Sequence, residues 1–289
     1  MRRPSLAAAL LFATAAAPAE PVRVRHLEGA IHGFLALRTT DGKLVATGDQ
    51  LQTVRRGTVT SRLLIRFLDG SVSDETVVFT QGRVFRFVSD QVVQKGPAFK
   101  TPMEMSVDGK TGDVTVRVTE DGKEKAYTER LSLPDDVANG LIGVVMKSVS
   151  WETPKTTLSM VVASPKPRLV KVIVTPFGKE PLSIGKRIRH VLHYKVVIEL
   201  GGVAGVVAPL VGKAPPDAHL WILGGEPPTY LMSEAPLSLG GPSLHMELVG
   251  PYWPRTWAAP KIQPAPQPTP SRAAPPSPAA TPASTLPPG

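Results

Sequence analysis

The 289-residue chain contains no cysteine, which excludes disulfides, cysteine-ligated metals and thiol nucleophiles, and also the lipid-anchoring cysteine of a conventional lipoprotein. Its formal charge of +9 overstates the basicity of the folded part, because Arg2, Arg3, Lys261 and Arg272 lie in terminal segments; the 33 basic residues less these four leave 29 against 24 acids. A surplus of that size without a recognition motif argues against a nucleic-acid-binding protein.

In chain order, residues 1–19 (MRRPSLAAALLFATAAAPA) read as a cleaved secretory signal. Arg2 and Arg3 supply a positive start, Leu6 to Ala16 is uncharged and too short to span a bilayer, and Ala17-Pro18-Ala19 has the small-x-small pattern of a cleavage site. The alternative is an uncleaved N-terminal anchor. The leader predicts an exported chain, periplasmic or secreted, with no transmembrane span in the mature part. Residues 20–259 are expected to form a single β-rich domain, alternatively two halves at about 20–150 and 151–259.

From Val22 to Arg130 short alternating runs are separated by turn signals. TVTSRLLIRF (Thr58 to Phe67), ETVVF (Glu75 to Phe79), RVFRFVSDQVV (Arg83 to Val93), MEMSVD (Met103 to Asp108) and DVTVRVTED (Asp113 to Asp121) are rich in β-branched and aromatic residues. Asp41-Gly42, Asp69-Gly70, Asp108-Gly109 and Asp121-Gly122 suit the positive φ of tight hairpin turns. The pattern is that of an antiparallel meander.

One main helix is predicted next. Leu133-Pro134-Asp135-Asp136 has proline and acids near a helix start, and Val137, Leu141, Val144, Val145 and Ser148 recur at helical spacing up to about Val149. Gly140 and Gly143 each cost about 1 kcal/mol of helix propensity against alanine and suggest close approach to a sheet. A second β-rich half follows with TLSMVVAS (Thr157 to Ser164), RLVKVIVT (Arg168 to Thr175), the run from Ile188 to Leu200, and SLHMELV (Ser243 to Val249). The expected fold class is mainly β: a curved antiparallel sheet of about eleven strands, half-barrel or clam-like, with the helix packed against its concave face.

The chemistry-bearing motifs are weak. In Gly201 to Glu226 the glycine spacing fits neither a phosphate loop nor a dinucleotide fingerprint, and Val196 to Val211 is too short for a membrane span. An apolar strand–loop–strand remains, either structural or lining a ligand-facing lip. His190 and His193 are three apart in a predicted strand and so point to opposite faces; with no HExxH and no cysteine, no metal or cofactor is expected. No GxSxG elbow is present, and no catalytic residue is assigned. Asp69, Asp74 and Glu75 bracket a turn and read as turn formers before calcium ligands, while Gly96-Pro97 leaves Phe99 to plug a core or a pocket. Between Lys166 and Lys195, eight Lys or Arg face only Glu180, a stripe suited to anionic lipid headgroups, an acidic partner or plain solvation. Residues 260–289 carry eleven prolines in thirty positions, the mark of an extended, disordered spacer.

Taken together, FLDGS, QKGPAF, LPDDVANGL and GVAGVVAPLVGKAPPDAHLWILGGE resemble an uncharacterised family of exported bacterial β-rich proteins, over about Gly29 to Pro254. The resemblance implies no reaction and no site residue. A fold-level likeness to lipoprotein carriers, in which a curved sheet wraps a helix, is similarly silent on function. The expected function is non-catalytic: binding of a lipid or other apolar small molecule, or of an envelope protein. Candidate lining residues are Phe87, Leu141, Val145, Trp221 and Tyr230, with Lys213 and His219 at the lip. The alternatives are an exported hydrolase with a spatially assembled His/Asp site and a structural envelope module.

Overall fold

The computed structural model describes residues 21–250 except 121, 164–165, 185, 200–215 and 239. The leader, the proline-rich tail, Lys213 and most of the Gly201 to Glu226 run therefore lie outside the described residues. The chain divides into a unit at 1–251 and a second at 252–289, the latter wholly outside them.

Fourteen strands are present among the described residues, and every neighbouring pair is antiparallel. The first eight are β1 (Ile31–Thr39), β2 (Leu44–Arg55), β3 (Thr58–Phe67), β4 (Val72–Gln81), β5 (Phe85–Lys95), β6 (Met103–Asp108), β7 (Asp113–Glu120) and β8 (Lys123–Arg130). After a short helix, α1 (Ile142–Met146), come β9 (Thr156–Val162), β10 (Arg168–Ile184), β11 (Arg187–Glu199), β12 (Ala218–Leu223), β13 (Thr229–Pro236) and β14 (Ser243–Val249). The sheet order runs β8 to β1 and then β14 to β9, so two meanders join where β1 pairs with β14, from Phe34↔Val249 to Thr39↔Leu244. Tight turns make this order possible: Gly70 sits at φ +87° in the Asp-Gly turn between β3 and β4, a backbone region closed to most side chains.

The sheet is mainly β, curved and open, as expected, but it has fourteen strands and not about eleven. The undercount has a physical origin. β8 reads KEKAYTER and is largely exposed, and β13 is half-buried along most of its length, so neither shows clean two-residue alternation.

The main helix is also corrected. Only the five residues of α1 are helical, with no side-chain cap at Leu141. The upstream half of the predicted helix is instead consumed by the open edge of β9. Ser159 N–H donates to Asp136 O at 3.2 Å and Ala138 N–H to Ser159 O at 2.9 Å, giving a parallel bridge between Val137 and Ser159. The buried Asn139 side chain then imitates a strand: its amide donates to Val161 O at 2.9 Å and its oxygen accepts from Val161 N–H at 2.8 Å. Gly140, at φ +62°, turns the chain away from this pairing before α1 begins. Asp136 is thus no helix cap; its Oδ2 accepts from the Ser159 hydroxyl at 3.1 Å, while Asp135 pairs with Arg86.

The α1 segment fills the concave side. Ala138, Leu141, Val144, Val145 and Met146 share one core with Val59, Phe79 and Phe85 of the first meander and with Leu158, Val172, Tyr194 and Ile222 of the second. A second cluster joins Val161 of β9 to Val92, Met105 and Val116 of β5–β7. A third, of Leu37, Ala46, Ile65 and Leu244, lies beneath the β1–β14 joint. The buried pair Lys147 Nζ–Glu28 Oε1, 2.6 Å apart, ties the end of α1 to the segment before β1. Its remaining polar partner is supplied by Gln52 Nε2, which donates to Glu28 Oε2 at 3.2 Å.

Asn139→Ala leaves a buried N–H and C=O of Val161 unpaired. The expected loss is about 2 kcal/mol, measured by chemical denaturation, whereas Asp135→Asn, at an exposed neighbouring position, is expected to be nearly silent in the same measurement.

Candidate functional site

The far end of the β10–β11 hairpin is exposed. β9 pairs with β10 only over Arg168 to Val174, and β12 pairs with β11 only over Val191 to Val196. Past Val174 β10 has β11 as its only neighbour, and from Pro181↔His190 to Ile184↔Arg187 the two strands continue alone as a two-stranded ribbon. Strand alternation gives its two faces different chemistry. Leu192 and Tyr194 belong to the core side, so His190 and Ile188 continue that side outward, while His193 faces the opposite way.

On the core side a groove of about 580 Å³ is lined by Lys179, Ile188, His190 and Leu192, with the Gly224–Gly225 backbone at its end and Arg189, which alternation places on the opposite face, at its border. Lys179 stands opposite Leu192 in register, with its Nζ 5.4 Å above the Trp151 ring. Among the described residues neither Lys179 nor Arg189 has a carboxylate partner. Ile188 is 70% exposed, so the groove pairs unneutralised cations with uncovered apolar surface.

On the opposite face the ribbon carries a compact cluster. Glu180 Oε1 lies 2.7 Å from His193 Nδ1, and His193 Nε2 lies 2.8 Å from His219 Nδ1. Trp221, opposite His193 in register, stacks on it with ring centres 4.2 Å apart and donates from Nε1 to Glu180 Oε2 at 3.3 Å. A bulge between Pro176 and Gly178 swings Phe177 over both imidazoles, at 4.7 Å and 5.5 Å. His193 is 7% exposed and Phe177 62%, so the aromatic lid is on the solvent side.

The sequence-predicted lining residues are distributed differently from a single cavity. Leu141 and Val145 are 1% and 3% exposed inside the packed core. Tyr230 packs against that core, with its hydroxyl 2.9 Å from Ser233 Oγ and donating to Met246 O at 2.9 Å, and burial holds its hydroxyl well above the ordinary tyrosine range. Phe87 sits at the core margin and borders a small recess of about 60 Å³ beside Arg86 and Asp135. His219 and Trp221 do come together, but on the outer face with His193. Lys213 is outside the described residues. The partners that sequence reasoning missed, Glu180 and Phe177, are placed by the bulge and by register, which no local pattern encodes. The one available signal was the isolated acid Glu180 within the basic stripe.

The acids around the β3–β4 turn do not converge. Asp69 accepts from Ser71 N–H, Asp74 takes both Arg62 nitrogens at 2.8 Å and 2.6 Å, and Glu75 points to the other face, toward Gly140. Phe99 is buried and meets Phe67 edge-on. Among the described residues no group of three or more His, Asp or Glu is arranged to hold a metal ion. Inside the sheet, however, Glu75 and Asp90 form an acid pair. Asp90 is 2% exposed, and its carboxyl lies beside the Asn139 side chain and the Gln91 backbone. Burial, and then the charge of Glu75, pushes the Asp90 carboxyl up to about 8, and burial raises Glu75 as well.

These features define an open, curved, all-antiparallel β-sheet protein whose edge is sealed by a short plug segment. No protein-family model and no curated protein matches the chain. Among solved structures it is similar to a β-barrel-like protein of domain of unknown function DUF1849 from Brucella abortus, at 14% identity and a TM-score of 0.39, over 81% of this chain and 98% of that one.

The acid pair has a signed consequence. The folded Asp90 keeps its proton up to about pH 8, whereas the unfolded chain releases it near 4, so stability falls as pH rises between those values. Asp90→Asn is expected to raise the melting temperature at pH 7.5 by several degrees, on the order of 2 kcal/mol, and to change it little at pH 4.5. Thermal denaturation at the two pH values checks this, and an equal effect at both would contradict it.

Proposed function

We propose that this chain is an exported, non-catalytic binding protein that holds an anionic amphiphile, a lipid in particular, along the β10–β11 groove. The observation that carries the reading is the open groove of about 580 Å³ in which Lys179 adjoins Ile188 and Leu192, with Arg189 at its border. An acyl chain or comparable apolar part lies on Ile188 and Leu192, and the anionic head meets the two cations, which set its orientation. With Leu141 and Val145 packed against their neighbours, the ligand position is at the ribbon and not between sheet and helix. The leader at 1–19 supports delivery across a membrane, and the tail at 260–289 serves as a spacer. Among the described residues no helix is long and apolar enough to cross a membrane.

A serine-nucleophile form of the hydrolase alternative is disfavoured by one contact. In the carboxylate–imidazole row, the group that faces His193 Nε2 is a second imidazole and not a serine hydroxyl.

Each cation near an anionic surface contributes about 1 kcal/mol. The double variant Lys179→Glu, Arg189→Glu is therefore expected to bind phosphatidylglycerol vesicles at least about tenfold more weakly than the unaltered chain, with the unaltered chain's binding falling as salt rises. Vesicle co-sedimentation measures this. Equal binding to phosphatidylcholine vesicles, or no change in the double variant, would overturn the reading.

A further inference from the structure

We infer that His193 and His219 form a binding site for a single Cu(II) ion on the outer face of the sheet. The site is independent of the groove, which lies on the other side of the ribbon.

The first observation is the hydrogen bond behind His193. Its Nδ1 lies 2.7 Å from a Glu180 carboxylate oxygen, so Nδ1 is the protonated nitrogen and Nε2 presents a lone pair. A carboxylate that fixes the ring and tautomer of an imidazole is the usual outer support of a metal-ligating histidine. The stack on Trp221 and the Phe177 ring hold the same orientation.

The second observation is where that lone pair points. It meets His219 Nδ1 at 2.8 Å. Without metal, His219 carries its proton on Nδ1 and donates it to His193 Nε2. A metal ion takes the place of that bond when His219 shifts its proton to Nε2, so the exchange needs no net proton loss. Two nitrogens bound at about 2.0 Å to one ion are about 2.8 Å apart at a right angle, and about 3.3 Å apart at a tetrahedral angle. The observed spacing is that of an ordinary hydrogen bond, and neighbouring corners of a square-planar site keep the same separation once the two rings turn toward a shared ion; Cu(II) takes that geometry and heads the affinity order of divalent ions for nitrogen ligands.

The third observation is that nearby charges are committed elsewhere. Lys195, opposite His219 on β11, pairs with Asp217 at 2.6 Å. Glu234, opposite His219 on β13, holds His245 Nε2 at 2.9 Å. The two imidazoles are therefore the protein ligands, and the remaining positions are open to water or to an outside ligand.

The test is titration of the tag-free full chain with CuSO4, read by tryptophan fluorescence and by electron paramagnetic resonance. One equivalent is expected to quench the fluorescence of Trp221 and to give an axial spectrum with coupling to two imidazole nitrogens. His219→Ala is expected to weaken binding at least tenfold and remove that coupling, Glu180→Gln to weaken it about tenfold, and His245→Ala to leave it unchanged. Trp221→Phe is expected to reduce the quenching, leaving that of Trp151, and to keep the spectrum. His219 is only half-buried, so its variant stays readable even where His193→Gln fails to fold. A spectrum unaltered in His219→Ala would place the ion elsewhere and overturn the assignment.

Discussion

The constraint on which the fold depends is the open edge of β9. A sheet of antiparallel hairpins leaves one strand at each end with unpaired backbone groups, and those groups need partners when the strand is buried. β8 lies at one end and is charged and largely exposed, so water serves it. β9 lies at the other end among apolar neighbours, with Leu158 and Val161 almost fully covered. Asp136, Ala138 and Asn139 supply what the missing strand does not. Once the chain is fixed along that edge, Leu141, Val144 and Val145 follow directly onto the concave surface, where both meanders close around them.

That same closure explains why the candidate sites lie on the ribbon. The interior is occupied by packed side chains and by polar groups with structural roles, such as Lys147–Glu28 and Asn139. β10 and β11 outrun their neighbours, so the residues beyond Thr175 and before Val191 have no adjacent strand to cover them. Alternation then does the sorting. One face carries Lys179, His190 and Leu192, the other Glu180, His193 and the rings around them. A groove for an anionic amphiphile and an aromatic-walled imidazole pair lie on opposite faces of β10 and β11, the second completed by His219 and Trp221 of β12.

Much of the architecture was legible in the sequence because it rests on local rules. Val, Phe and Thr in alternation, punctuated by Asp-Gly pairs, give hairpins whatever surrounds them. The helix from Leu133 to Val149 was misread for a reason of the same kind. Its apolar spacing is real, and it does face the core, but half of it satisfies β9 as extended chain, a demand that arises from a strand about twenty residues later. β8 and β13 were missed because a strand exposed or half-covered on both faces has little alternation to show. At the site, opposite faces for His190 and His193 were readable from a two-residue period. The pairing of His193 with His219 and Glu180 was not, because it depends on register across three strands and on the bulge at Phe177.

The sequence by itself determined the class of chain: a cysteine-free, mainly β protein with a secretory leader expected at one end and a proline-rich spacer at the other. Composition and nearest-neighbour conformational preference suffice for those statements. Only the tertiary structure decided that there are fourteen strands in one open sheet, that a five-residue helix replaces a long one, and that Glu180, His193 and His219 stand in line. These depend on contacts between residues far apart in the chain, where burial and backbone hydrogen bonding outweigh local propensity.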